Sequence, residues 1–198
     1  MTLPPVMRVF FAVDLPQSAR EAVGGLIGVL KKKSKSHAIR WTKIENLHIT
    51  LQFLAEVKTE HLSSLIEHVR SQVEGVINST TIAFGQIHLF PNPFRPRVIV
   101  LDIVPQDDLA LMSGLIGQGI KLTGYEIENR PFRAHLTLGR IKQPQDVDLG
   151  FLSEKNALPQ LESVDVREVA LFRSEPQSDG SKYSVLEKIT LENKLVLS

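Results

Sequence analysis

Hydrophobic residues follow two spacings along this chain, and each spacing predicts one kind of secondary structure. Apolar runs that are continuous or alternate with polar residues predict strands at 8–15, 39–42, 47–54, 80–89, 97–103, 135–141, 164–172 and 183–191. Apolar residues that recur every three or four positions predict three helices, one after Pro16, one after Thr59 and one over 107–122. A shorter helix is predicted over 146–152, and a polar loop over 174–182 joins the last two strands.

The predicted elements mix strands with helices along the whole chain. No strand leads through a glycine-rich turn into a helix, so the sequence lacks the pattern of dinucleotide-binding and P-loop proteins. The predicted fold class is therefore α+β, with helices packed on antiparallel-rich sheets.

The composition is typical of a globular protein and excludes several kinds of site. Of the 198 residues, 42% are hydrophobic and 23% are charged, and none is cysteine. The absence of cysteine excludes a disulfide framework, a thiolate metal site and cysteine-based catalysis. No apolar run approaches the ~20 residues that cross a bilayer, and the first residues lack the pattern of a signal peptide. We therefore expect a cytoplasmic protein.

The charge is nearly balanced overall but unevenly distributed. The net charge is +1, yet residues 1–48 carry eight Lys/Arg against three Asp/Glu, and residues 121–142 carry five against two. Two local basic regions favour a phosphate-bearing ligand over a general coat of polyanion. The alternative is an ordinary solvated basic surface.

One tetrapeptide pattern, His-apolar-Thr-apolar, occurs twice with a separation of 87 residues. The two copies are His48-Ile49-Thr50-Leu51 and His135-Leu136-Thr137-Leu138. Because alternate residues of a strand share a face, each copy presents an imidazole and a hydroxyl together and directs its apolar residues to the core. Each histidine taken alone could also be a core residue with its nitrogens bound to the backbone.

Two imidazoles suit general acid and base catalysis at neutral pH, because their ordinary pKa is near 6.5. Placed on either side of one phosphorus, they could activate the attacking oxygen and protonate the leaving oxygen, while hydroxyls donate to the other oxygens. Arginine would complete such a site. Arg133 shares a face with His135 in a regular strand, whereas Arg140 falls on the opposite face unless a twist or a bulge turns it inward.

Around these residues the chain resembles the two-histidine (2H) phosphoesterases, and among them the RNA 2′,3′-cyclic phosphodiesterases, also called 2′-5′ RNA ligases. The resemblance extends beyond the tetrapeptides. Four segments match in the expected order: RVFFAVDLP near the start, ENLHITLQFLAEV at 45–57, FPNPFRPRVIVL at 90–101 and RPFRAHLTLGRIK at 130–142. Together they cover most of residues 8–142.

The resemblance implies a bilobal fold in which residues 1–198 form a single phosphoesterase domain. Two similar lobes of antiparallel-rich sheet with outer helices would surround a central cleft, and each lobe would contribute one motif strand. The implied reaction is hydrolysis of a terminal 2′,3′-cyclic phosphate on RNA to a 2′-phosphomonoester. Some members also join RNA ends through a 2′-5′ bond by the reverse reaction.

By motif position, His48 would be the proton donor to the departing 3′-oxygen and His135 the proton acceptor from water. The implied site contains no metal and no cofactor. The expected partner is RNA or a nucleotide bearing a cyclic phosphate, bound by a monomer that needs no membrane and no protein partner. The phosphate oxygens would be held by Thr50, Thr137 and Arg140, with Arg133 as a further candidate.

Three other functions stay open. A non-catalytic protein on the same scaffold would bind RNA ends without turnover, and a related enzyme would act on a small cyclic or 2′-5′-linked nucleotide. A metal-dependent hydrolase would combine histidine with Asp102 or Glu126, although no ligand spacing supports it. His88 ends a predicted strand and has no matching partner in the sequence.

Three aromatic residues next to basic residues are candidates for stacking on a base. They are Trp41, Phe94 and Phe132. Ordinary packing is the alternative for each of them.

Overall fold

The computed structural model describes residues 3–34, 36–92, 94–142, 150–153, 161–178 and 180–191. Within them the chain forms nine strands and three α-helices. The helices are α1 (Gln17–Ser34), α2 (Leu62–Val73) and α3 (Gln106–Leu122). The strands are β1 (Val6–Asp14), β2 (Ile39–Trp41), β3 (His48–Lys58), β4 (Thr80–Phe90), β5 (Val98–Val104), β6 (His135–Ile141), β7 (Val164–Val166), β8 (Glu168–Gln177) and β9 (Gly180–Thr190).

The strands form two antiparallel sheets, which confirms the α+β class. The first sheet has the order β3-β1-β8-β9, and the second has the order β2-β6-β5-β4-β7. The two motif strands, β3 and β6, therefore belong to different sheets. The chain passes between the sheets repeatedly, so residues far apart in sequence build each of them.

Two predicted elements differ from the structure. The run at 164–172 is divided, because β7 pairs with β4 in the second sheet while β8 pairs with β1 in the first. The expected polar loop at 174–182 is mostly strand, since the β8–β9 ladder continues to the pair Gln177 and Gly180. The predicted helix at 146–152 falls partly outside the described residues, and Gly150–Ser153 forms a 3₁₀ turn.

One continuous hydrophobic core joins both sheets and all three helices. It includes Val9, Phe11 and Val13 on one face of β1. The opposite face of β1 is also buried, because Phe10 and Ala12 pack with Ala170 and Phe172 in a second, smaller cluster. Burial on both faces explains why the sequence of β1 is an unbroken apolar run rather than an alternating one.

Among the described residues, no helix has the length and apolar character that crossing a membrane requires.

Candidate active site

Each motif histidine is the first residue of its strand, His48 in β3 and His135 in β6. Both histidines are partly exposed, as are Thr50 and Thr137. The four apolar residues of the motifs are buried, namely Ile49, Leu51, Leu136 and Leu138. The alternation along both strands thus agrees with the face predicted from the sequence.

The two imidazoles are held in the same way. Nδ1 of His48 lies 2.7 Å from the carbonyl oxygen of Asn46, and Nδ1 of His135 lies 2.8 Å from that of Arg133. A carbonyl oxygen can only accept a hydrogen bond, so Nδ1 carries the hydrogen in each ring. Nε2 of each ring is then the atom that can accept a proton, or donate one when the ring is charged.

The ring of His48 packs among aromatic side chains. Its centroid lies 4.7 Å from that of Phe10, 5.2 Å from that of Tyr183 and 6.3 Å from that of Phe172. Its Nε2 lies 3.0 Å from Oγ1 of Thr50. The aromatic rings come from β1, β8 and β9, so three strands besides β3 form this environment.

Burial is the main cause of a strongly lowered pKa at His48. Loss of water around the ring lowers the pKa from 6.5 to about 4, against the hydrogen bond to Asn46 and the charge of Asp14, which raise it. The nearby charges of Arg140 and His135 lower it further. These two residues lie on β6 of the other sheet, so charged groups of the second motif strand act on the histidine of the first. The free protein therefore holds His48 neutral at pH 7.

A β-bulge brings Arg140 to the same face as the second motif. In the β5–β6 ladder, Ile99 is opposite Gly139 and Val100 is opposite Thr137, so Leu138 is an extra residue on β6. One extra residue reverses the alternation beyond it. Arg140 is consequently exposed on the side of His135 and Thr137. The regular strand assumed from the sequence would have turned it away.

Arg133 is bound to a carboxylate. Its guanidinium donates to both oxygens of Asp102, at 3.0 and 2.9 Å, and lies 4.9 Å from the centre of the Phe90 ring. The ring of Phe90 in turn stacks on His135 with centroids 5.8 Å apart. Asp102 is directly opposite His135 in the β5–β6 ladder. Arg133 therefore belongs to a network around the second histidine.

His88 contacts a carboxylate in the folded chain. Nε2 of His88 lies 2.7 Å from Oδ2 of Asp102, a contact that the sequence pattern does not indicate. The two residues lie on neighbouring strands, β4 and β5, and their sequence separation hides the pairing. The available signal was Asp102 itself, an acidic residue inside the apolar run RVIVLDI.

The three aromatic candidates differ in burial. Trp41 and Phe132 pack against the main core, whereas Phe94 is 93% exposed.

The described residues contain no group of three or more His, Cys, Asp or Glu side chains that could hold a metal ion.

Comparison with known protein families and with individual proteins finds relatives of one kind. A family profile described as LigT like Phosphoesterase matches residues 13–100. An Archaeoglobus fulgidus RNA 2′,3′-cyclic phosphodiesterase is 31% identical over 180 residues, covering 91% of this chain and 98% of that protein. The protein of the same name from Methanothermobacter thermautotrophicus is 32% identical over 187 residues, covering 93% and 99%.

Solved structures share the fold over nearly the whole chain. A protein from Thermus thermophilus matches with a TM-score of 0.76 and 28% identity, covering 95% of this chain and 100% of that one. Escherichia coli LigT in its apo form matches with a TM-score of 0.73 and 26% identity, covering 96% and 100%. The same E. coli protein complexed with 3′-AMP matches with a TM-score of 0.72 and 27% identity, covering 95% and 99%.

Proposed function

The chain belongs to the LigT-like phosphoesterase family, the family of the RNA 2′,3′-cyclic phosphodiesterases, and we propose that it opens terminal 2′,3′-cyclic phosphates of RNA to 2′-phosphomonoesters. One observation carries this proposal. Two histidines, one at the start of each motif strand, each bind a backbone carbonyl through Nδ1, so Nε2 of each ring is the atom that can exchange a proton. This arrangement suits in-line displacement at phosphorus, in which one group takes a proton and another gives one.

In the proposed reaction, Nε2 of His135 takes a proton from water as the water oxygen bonds to phosphorus. The bond between phosphorus and the 3′-oxygen breaks, and Nε2 of His48 supplies the proton for that oxygen. The products are a 2′-phosphate and a free 3′-hydroxyl, so one water is consumed. A ribose 5′-hydroxyl in place of water would attack the same phosphorus, displace the 3′-oxygen and form a 2′-5′ bond.

We assign the non-bridging phosphate oxygens to Thr50, Thr137 and Arg140. The hydroxyls lie on the same strand faces as the histidines, and the planar guanidinium of Arg140 matches two phosphate oxygens at once. Donors directed at oxygens that gain negative charge stabilise the transition state more than the ground state. Arg133 is less suited to this role because Asp102 already occupies its guanidinium, so we propose that it positions His135 instead.

Because the pKa of His48 is lowered, bound substrate must raise it before His48 can act as the proton donor. A ring with a pKa of about 4 is neutral at pH 7, whereas the proposed proton donor must be charged. The negative charge of a bound phosphate stabilises the charged ring and raises this pKa. His48 is therefore charged chiefly when substrate occupies the site.

An enzyme for small nucleotides is the second candidate. The observation that favours it is the E. coli LigT structure that holds 3′-AMP, which is a mononucleotide. The same histidines would serve on a small cyclic or 2′-5′-linked nucleotide. A non-catalytic binder of RNA ends would have no need for both rings.

The deciding experiment follows the product by phosphorus NMR. Purified protein is incubated in chelator with a short RNA that ends in a 2′,3′-cyclic phosphate, beside the variants His48→Ala and His135→Ala. The matched control is His68→Ala, because His68 is a half-buried histidine on α2 and belongs to neither motif strand. We expect a 2′-phosphate from wild type and control, and a loss of several orders of magnitude in both motif variants.

Each other outcome would revise a part of the proposal. A 3′-phosphate product would mean that the departing oxygen is the 2′-oxygen. Loss of wild-type activity in chelator, restored by a divalent metal, would favour the metal-dependent alternative. Binding without conversion would favour the binder, and conversion of a cyclic mononucleotide alone would favour the small-nucleotide enzyme.

A further inference from the structure

Two arginines lie side by side at one end of the second sheet. Arg40 of β2 is directly opposite Arg140 of β6, and both side chains are exposed. Directly opposed residues of antiparallel strands place their side chains on the same face, and like charges at such positions are destabilising. In the part of the chain that the structure describes, neither arginine has an ion-pair partner. This end of the sheet therefore has an unbalanced positive charge beside the proposed phosphate site.

The other end of the same face is electrically balanced. There Arg133 is paired with Asp102, and His88 contacts the same carboxylate. Arg130, in the segment that leads into β6, is paired with Glu128. Among the described residues, the unpaired positive charge of this face thus lies at the end that carries Arg140.

The loop between β4 and β5 projects from this same end. Its base is held by two backbone hydrogen bonds, from the amide of Arg97 to the carbonyl of Phe90 at 2.6 Å and from the amide of Ile141 to the carbonyl of Arg97 at 2.8 Å. The second bond joins the loop directly to the residue that follows Arg140. Arg95 and Arg97 are both exposed.

The tip of this loop presents an aromatic ring to solvent. Phe94 is 93% exposed, the highest value among the large hydrophobic side chains described. Oδ1 of Asn92 accepts hydrogen bonds from the amides of Phe94 and Arg95, each at 3.0 Å. A side-chain cap of this kind fixes the turn locally, so the exposed ring has a defined support.

Adjacent cations and an exposed aromatic ring are the combination that binds single-stranded nucleic acid. Arginines track the phosphates, and a flat ring stacks on a base whatever its identity. We propose that Arg40 and Phe94 bind the RNA strand on the 5′ side of the cyclic phosphate, with Arg40 on the next phosphate and Phe94 on a base. This inference rests on the proposed function and makes the substrate an RNA chain rather than a mononucleotide.

The test compares kcat/KM on two substrates that share the reacting group. One is a short single-stranded RNA ending in a 2′,3′-cyclic phosphate, and the other is 2′,3′-cyclic AMP. The variants are Arg40→Gln and Phe94→Ala, and the control is Arg167→Gln, because Arg167 is exposed and paired with Asp165 on β7. We expect each variant to lower kcat/KM for the RNA about five- to tenfold more than for the mononucleotide, mainly through KM.

The salt dependence separates the two contacts. Arg40→Gln should reduce the slope of log KM against log salt for the RNA by about one, whereas Phe94→Ala should leave that slope near the wild-type value. Equal losses on both substrates, or no loss on the RNA, would overturn the proposal.

Binding distinguishes failure of the proposed RNA contacts from failure of the proposed function. Fluorescence anisotropy with the same cyclic-ended RNA measures affinity without turnover. If wild type hydrolyses neither substrate, the proposed function fails, and weaker RNA binding by both variants still supports the contacts. If the RNA is hydrolysed and the variants bind and turn it over like wild type, only the contacts fail.

Discussion

Phe53 and Arg140 hold the same place in the two motif strands, each five residues after its histidine and just beyond a β-bulge. In β3 the extra residue is Leu51, because Phe11 is opposite Gln52 while Ala12 is opposite Thr50. Phe53 is 39% exposed, as expected for a side chain turned out of the core. The repeated bulge turns a cation out of the core on one strand and an aromatic ring out of the core on the other. Arg140 is therefore the residue of this pair that can neutralise phosphate.

Replacing Arg140 tests this asymmetry. We expect Arg140→Gln to lower kcat/KM about a hundredfold, because the developing charge on the phosphate loses its cationic donor. Arg140→Lys should recover only part of the loss, since an ammonium group cannot bind two oxygens in a plane. Steady-state kinetics on a cyclic-ended RNA measures both, with Arg167→Gln as the charge control. Wild-type kinetics in Arg140→Gln would remove Arg140 from the site.

Opening the aromatic surroundings of His48 should raise its pKa. Tyr183→Ser removes a ring whose centroid lies 5.2 Å from the imidazole and admits water, which favours the charged form. The pKa should move from about 4 toward 6.5, as followed by NMR titration of the ring protons. Tyr125→Ser is the matched control, because Tyr125 bonds to His61 instead. An unchanged titration of His48 in Tyr183→Ser would show that these rings do not cause the shift.

The same shift makes stability depend on pH. Between pH 6.5 and about 4 the unfolded chain binds a proton at His48 that the folded chain does not. The free energy of unfolding should therefore fall as pH drops through this range. Denaturant titrations at several pH values should give a smaller acid-induced loss in Tyr183→Ser than in the Tyr125→Ser control. Identical pH dependence in the two variants would count against this linkage.

The carboxylate of Asp102 should position His135 through Arg133. Asp102→Asn keeps the shape but removes the charge that holds Arg133, whose carbonyl binds Nδ1 of His135. We expect kcat to fall about ten- to a hundredfold with a smaller change in KM, because a misplaced base reacts poorly once substrate is bound. Asp165→Asn, which also releases an arginine, is the control. A change in KM alone would show that Asp102 acts on substrate binding.

Two glycines of α3 should respond oppositely to alanine. A Cβ on Gly119 would lie 2.6 Å from Cα and 2.8 Å from N of Val69 on α2, and this backbone cannot move aside cheaply. Gly119→Ala should therefore lower the free energy of unfolding by about 1–3 kcal/mol. Gly114 is exposed, and beyond the adjacent residues and backbone of its own helix no atom lies within 4 Å of the added Cβ, so Gly114→Ala should stabilise by about 0.5–1 kcal/mol. Denaturant unfolding measures both, and equal effects would contradict the close approach of α2 and α3.

The spacing of hydrophobic residues alone predicts the positions of most helices and strands. The predicted strand at 135–141 has the same bounds as β6, and the helix predicted over 107–122 differs from α3 by one residue. The motif strands and the face that carries His48, Thr50, His135 and Thr137 also follow from alternation. These features depend on residues close in sequence, because the side-chain periods of strands and helices are local properties of the backbone.

How these strands and side chains come together depends on contacts between distant parts of the chain. The bulge at Leu138 arises from pairing with β5, and no local signal at Arg140 announces its change of face. The division of 164–172 between two sheets, the contact of His88 with Asp102 and the aromatic surroundings of His48 all join distant segments. Burial and pairing between strands are sums over such distant neighbours, so the lowered pKa of His48 and the orientation of Arg140 exist only in the folded chain.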